Sequence, residues 1–520
     1  MNSVVEERTN SPNNNGLVSK GGAAAFWRIL SLIAFVSGLA YLSLRFVQRD
    51  RLFDSVFANF AVPAALYVFA TGVFYLLADV LMRPRDCRVG YFRIVRAALL
   101  STGLALLAII SFPAMAKHFT AGLAILTDIH SPDGTIYKWD TRGVTTVRDN
   151  YKLEELHRKG DEVAHLAAAQ AIAMSAGKPS KIRWLCDTSG TSDFRYDRKY
   201  WVDRALRGHP PGLAIIYSLA CGNAVFARVT ALLLTCIITA LCYWAGNKWS
   251  REQKLGLMMV ALFLGIPNLI WWHAMSVSSD LPPCLFTFSA FALLATWTLT
   301  NEQKPPSSLN PSIALILAGL LLGLGTFVTY TAALAAAASV VLVLTQSSSR
   351  QKALRAVWLI APAGIAVLVG VWYSRMIFQD GGHVLLSRLD SLVDSQQSTP
   401  FISGWQAAFI FVKRLPMDLG WPMVVLFLGA LIWQLVRRDA SVFTRLSQLL
   451  IAAVVLIPAA TFFWPELRFA YPGWLFVCYG LGLPEMWNRM SRFEKSLIFG
   501  TLLGFSYTKF VLLRLAVPVG

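Results

Sequence analysis

About thirteen apolar stretches, most of them near twenty residues long, decide what this chain can become. They lie at 26–46, 57–81, 95–115, 224–245, 255–272, 281–300, 311–328, 330–346, 356–374, 419–436, 445–464, 470–487 and 494–513. A helix of that length crosses the roughly 30 Å hydrocarbon layer of a bilayer. Only 15% of the 520 residues are charged and 56% are hydrophobic, where soluble domains carry about 25% charged residues. The expected fold is therefore an all-α polytopic membrane protein of about thirteen transmembrane helices. Residues 1–25 are polar, rich in Asn, Ser and Gly, and read as a disordered cytoplasmic tail.

The net charge of +18 is not a nucleic-acid signal once it is located. Arg83, Arg85, Arg88, Arg93 and Arg96 fall between the second and third spans. Lys248, Arg251 and Lys254, then Arg350, Lys352 and Arg355, then Arg437, Arg438 and Arg445, then Arg489, Arg492 and Lys495 fill alternate later connections. Short cytoplasmic loops concentrate Lys and Arg, so the N-terminus is expected inside and the long polar interval 116–208 outside. Some of this charge also suits anionic lipid head groups. The seven cysteines form no disulfide framework and no metal-type spacing.

Within the 116–208 interval, Gly160-Asp161-Glu162-Val163-Ala164-His165 opens an Ala-rich run that ends at Gly177. This predicts a helix from about Asp161 to Ala176 with two adjacent carboxylates in its first turn, where free N–H groups favour the ionised form. A general base needs that form; a charge-complemented helix start needs nothing more. Three other stretches fall on the same expected face. His209-Pro210-Pro211 holds a His before two prolines, which excludes regular helix there and either starts or caps the next one. Trp271-Trp272-His273 leads to Asp280, at the head of a span before Pro282-Pro283, as a functional acid or an N-cap. Trp464-Pro465-Glu466-Leu467-Arg468 places an isolated Arg where topology does not favour one. It suits a phosphate gripped by two parallel hydrogen bonds, or a salt bridge to Glu466 or to an acid elsewhere.

In their order, Asp161-Glu162 with its Ala-rich helix, His209-Pro210-Pro211, Ala227-Arg228-Val229, Asp280, and Leu467-Arg468-Phe469 before Tyr471-Pro472 resemble the integral-membrane glycosyltransferases of the GT-C class. The branch is that of protein O-mannosyltransferases and lipid A glycosyltransferases, and the likeness covers roughly 95–490. It implies a polyprenyl-phosphate sugar as donor, a lipid, glycan or protein hydroxyl as acceptor, and an active site on the non-cytoplasmic face of a bacterial inner membrane. Asp161 would be the catalytic base, Glu162 would assist it, and Arg468 would bind the donor phosphate. His209, Asp280 and Tyr330 would line the polar cavity. A single displacement of this kind inverts the anomeric centre. No cofactor and no nucleic acid are expected, and a divalent metal stays open.

Two departures from that pattern stand out. The family often has a Lys after the Gly-rich turn of the middle span, where Gly323-Leu324-Gly325-Thr326-Phe327-Val328-Thr329-Tyr330 offers Thr329 and Tyr330. Residues 26–94 add a pair of spans and a basic loop before the region of likeness; 491–520 form the C-terminal transmembrane helix. The reading from a different class is a transporter or flippase for a polyprenyl-linked glycan, which also presents charge to a central cavity.

Overall fold

The computed structural model describes residues 20–48, 52–83, 91–120, 127–129, 136–140, 143–147, 160–186, 202–203, 205–206, 209–220, 224–249, 255–267, 269, 277–298, 311–346, 352–378, 404–437, 440–461 and 467–516. Helices dominate. The first three are α1 (Lys20–Gln48), α2 (Val56–Leu81) and α3 (Tyr91–Thr120). A short antiparallel meander follows, β1 (Thr127–Ile129), β2 (Ile136–Asp140) and β3 (Gly143–Val147), in the order β1-β2-β3. Short helices were expected in this interval; the strands were not. It continues with α4 (Gly160–Ser175), α5 (Pro179–Cys186) and α6 (Gly212–Ser218).

The later helices are α7 (Ala224–Trp249), α8 (Leu255–Leu264), α9 (Pro282–Thr298), α10 (Pro311–Val328), α11 (Ala332–Gln346) and α12 (Lys352–Ile377). Then come α13 (Gly404–Asp418), α14 (Trp421–Val436), α15 (Val442–Thr461), a 3-10 turn at Leu467–Gly473, α16 (Trp474–Gly480), α17 (Leu483–Arg489) and α18 (Arg492–Ala516).

Seven of these, in α1, α2, α3, α7, α12, α15 and α18, are long and apolar enough to cross a membrane. Their outer faces carry large apolar side chains such as Phe57, Ile109, Phe112 and Leu368, each more than 60% exposed. Such a surface is stable in lipid and not in water, and the chain is an α-helical membrane protein. Five further expected spans form shorter apolar helices, α8, α9, α10, α11 and α14. Gly265 and Pro267 stop α8 soon after Leu264.

The stretch 470–487, expected as one span, is broken. Pro472, Gly473, Gly480, Gly482 and Pro484 divide it, with Gly482 in the left-handed region at φ 67°. Its pieces are almost wholly buried, so neighbouring helices, not lipid, surround this irregular backbone, as a membrane interior requires. Helix α13 lies where the sequence showed only a connection. It turns into α14 at Gly420, whose φ is 79° and whose Cβ position lies 2.3 Å from the Phe505 ring. Only glycine fits there.

The added N-terminal pair is not peripheral. α18 is the most enclosed of the seven long helices, with 83% of its apolar window buried, and α1, α2, α3 and α8 pack around it. Gly500 and Gly504 let its backbone touch α2: a Cβ at Gly500 would lie 2.6 Å from the Thr71 carbonyl oxygen, and one at Gly504 2.4 Å from Thr71 Oγ1. This small-xxx-small spacing gives van der Waals contact where lipid offers no hydrophobic drive. A capping box starts α18, the Ser491 N–H donating to Glu494 Oε2 at 2.7 Å while Ser491 Oγ accepts from the Glu494 N–H at 3.4 Å.

Candidate functional site

Helix α4 begins at Gly160, so Asp161 and Glu162 occupy its first turn; their side chains lie outside the described residues. Ala-rich composition fits both the helix and its surroundings, because small side chains allow close approach on every side. Ala164, Ala167, Ala168, Ala171 and Ile172 pack against Ile182, Val202, Leu206, Ala214 and Phe378. Leu166 and Ala169 face the other way, onto Leu213, Tyr217, Ala227, Val277 and Val328. A helix from an interval expected outside the membrane is thus sealed among the ends of membrane helices. The Tyr373 hydroxyl donates to the Gly177 carbonyl at 3.0 Å, and Arg183 donates to the carbonyls of Met376 and Ile377 at 2.6 and 3.0 Å.

The stop of α4 is a Schellman motif. Gly177 N–H donates to the Ile172 carbonyl at 3.0 Å and Ala176 N–H to the Ala173 carbonyl at 3.2 Å. Both residues at this end lie in the left-handed region, Ala176 at φ 51° and Gly177 at φ 72°.

Pro210 and Pro211 do start the next helix, since Pro211 is the N-cap residue of α6. His209 does not cap it. The His209 ring meets that of His165 instead, with centroids 4.8 Å apart and planes at 70°. His165 is buried at 3% exposure and sits one helical turn after Asp161, so two histidines flank the start of α4. In sequence, His165 is marked only by its one-turn spacing from Asp161 within an Ala-rich helix. Gly212 lies against the Phe327 carbonyl, its Cβ position 2.6 Å from that oxygen. This fixes α6 beside the α10–α11 turn, where Thr329 is buried and Tyr330 half-buried.

Asp280 and Arg468 form one feature. Arg468 Nη1 lies 3.7 Å from Asp280 Oδ2, with 27% of the Arg side chain accessible and 3% of the Asp. The salt bridge anticipated for Arg468 therefore joins an acid far away in sequence. Ser279 Oγ donates to Asp280 Oδ1 at 3.4 Å, and the guanidinium carbon lies 5.0 Å from the Phe469 ring centroid. Asp418, at the end of α13, accepts from the Leu467 N–H at 3.4 Å. The buried Tyr471 hydroxyl lies within the field of Asp418, Asp280 and Arg468 together. Asp418 is a polar group the sequence did not mark, because α13 was not recognisable and its last acid had no place; Tyr471 stood in the motif beside Pro472 with no role of its own.

The cluster is tied to α4 and to α6. Leu166 of α4 and Val277, three residues before Asp280, belong to one apolar cluster, and the hydroxyl of Tyr217, in α6, donates to the Ser278 carbonyl at 3.4 Å. Ala227 belongs to the same apolar cluster and precedes the buried Arg228. Trp271, Trp272, His273, Trp464 and Glu466 lie outside the described residues. Among the described residues no group of three or more His, Cys, Asp or Glu is placed to hold a metal ion. No protein-family model, no curated protein and no solved structure matches this chain.

Proposed function

We propose that this protein is a GT-C-like glycosyltransferase of about thirteen membrane crossings, with its N-terminus cytoplasmic, in a bacterial inner membrane. It moves a sugar from a polyprenyl-phosphate donor to a hydroxyl of a lipid, glycan or protein acceptor, with inversion, on the non-cytoplasmic face. The observation that carries the reading is the Arg468–Asp280 pair, beside Val277, which shares an apolar cluster with Leu166 of the helix that Asp161 opens. Displacement at an anomeric carbon needs a base for the incoming hydroxyl and a fixed cation for the departing phosphate.

In this mechanism Asp161 takes the acceptor proton at a helix N-terminus that keeps the carboxylate ionised, and Glu162, a neighbour about 100° around the helix, supports it. Arg468 neutralises the phosphate as the bond to the sugar breaks. Asp280 holds the guanidinium in place, and His209 and Tyr330 line the polar space between the two ends.

Purified protein incubated with radiolabelled polyprenyl-phosphate sugars tests this directly. Transfer should fall by about 10² to 10⁴-fold in Asp161→Asn. Unchanged transfer in that variant removes the base. A wild-type protein that transfers nothing but moves a labelled lipid-linked glycan across liposomes makes it a transporter.

A further inference from the structure

A second charged centre lies at the membrane boundary where α2 ends and where α3 and α18 begin. One carboxylate, Asp79, receives three guanidinium groups. Arg83 Nη2 lies 2.9 Å and Arg96 Nη1 3.2 Å from Asp79 Oδ2, and Arg492 Nη2 lies 2.5 Å from Oδ1. Arg492 Nη2 also donates to the Asp79 carbonyl at 2.6 Å. The buried Nε–H groups of Arg83 and Arg492 meet no hydrogen-bond acceptor among the described residues. Tyr75 sits one turn before Asp79 and shares the field of Asp79, Arg83 and Arg492.

One acid neutralises one guanidinium, so the cluster keeps an excess of two positive charges. Glu494, two residues after Arg492, is already committed to capping α18 and to Arg28 at 3.9 Å. Three planar forks beside a tyrosine at a lipid boundary match the oxygens of a phosphate group. All three arginines remain partly accessible, at 27%, 39% and 37%, so an anion can reach them.

We infer that the Asp79–Arg83–Arg96–Arg492 cluster binds a phosphate group, that of an anionic phospholipid head group or of free phosphate, and thereby joins α2 and α3 to α18. This centre is separate from the Asp280–Arg468 cluster and stands whatever reaction that cluster supports.

The test uses the full-length protein in phosphatidylcholine micelles, with phosphatidylglycerol added and bound lipid counted by native mass spectrometry. Wild type should retain phosphatidylglycerol over phosphatidylcholine. Retention should fall about tenfold in Arg96→Gln and in Arg83→Gln, the loss of one charge-assisted contact, and stay unchanged in Arg355→Gln on another basic connection. Arg96→Lys keeps the charge without the fork and should fall between. Inorganic phosphate alone, read by thermal shift, separates the sources: stabilisation lost in Arg96→Gln identifies free phosphate as a ligand, whereas selective retention of phosphatidylglycerol identifies the lipid. The inference is overturned if wild type shows neither phosphatidylglycerol preference nor stabilisation by phosphate, or if either signal survives both Gln variants that still melt cooperatively.

Discussion

Neutralising Asp280 while keeping its shape, as Asp280→Asn, should weaken the protein through one identifiable partner. At the 3.7 Å separation from Arg468, the attraction is about 4.5 kcal/mol for an effective dielectric constant near 20. The Arg side chain is 27% accessible, so water screens part of this, and burying the acid carries a desolvation cost of its own. The net coupling should be about 2 kcal/mol. A double-mutant cycle of Asp280→Asn and Arg468→Gln, measured by equilibrium unfolding in mixed micelles, reads it directly. The double variant should be less destabilised than the two single losses added together. Additivity within about 0.5 kcal/mol would show that the two charges do not depend on each other, and Asp280 could not be the residue that positions Arg468. Activity supplies a second reading. Arg468→Lys retains a charge but loses the planar fork, so transfer should fall about tenfold or more while stability changes little.

Three further substitutions address the scaffold. Gly504→Leu forces a side chain into the Thr71 contact of α2 and should destabilise by about 1–3 kcal/mol, seen as a lower apparent melting temperature in detergent; an unchanged value would mean α2 and α18 do not touch there. Ala176→Gly relieves the left-handed backbone at φ 51° and should stabilise by about 1 kcal/mol, with slower proteolysis at the end of α4 as the check. Glu494→Ala removes the side-chain acceptor of the α18 capping box and should cost about 1 kcal/mol or more in the same thermal assay.

The sequence announced what local rules govern. Runs of apolar residues located the long helices, and Gly177 marked the end of α4 within a residue. Pro210-Pro211 placed His209 at a helix start. What depended on distant partners was hidden. Asp280 and Arg468 carry no mark of each other in sequence, and His165 sat unremarked in an Ala-rich helix until His209 came against it. Helix α13 escaped because Lys413, Arg414 and Pro416 interrupt its apolar face, although Ala407 and Phe411 are buried and Phe409 and Val412 face outward. The break in 470–487 was legible in its glycines and prolines, but hydropathy outweighed them.

The enclosure of α18 bears on how the chain is made. Arg492 grips the Asp79 carbonyl across 413 positions and the Tyr507 hydroxyl donates to the Leu107 carbonyl across 400. During synthesis the first three helices therefore enter the bilayer with their closest partner still untranslated. Contacts so distant in sequence form late and slowly, and exposed partial structures invite wrong association. For as long as translation of some four hundred residues takes, the polar shoulder of α2 around Asp79 and the Thr71 face lack their mate. A chain stopped short of α18 would leave the Thr71 face of α2 open to lipid and Asp79 without its Arg492 partner, so α18 acts as the latch that completes assembly.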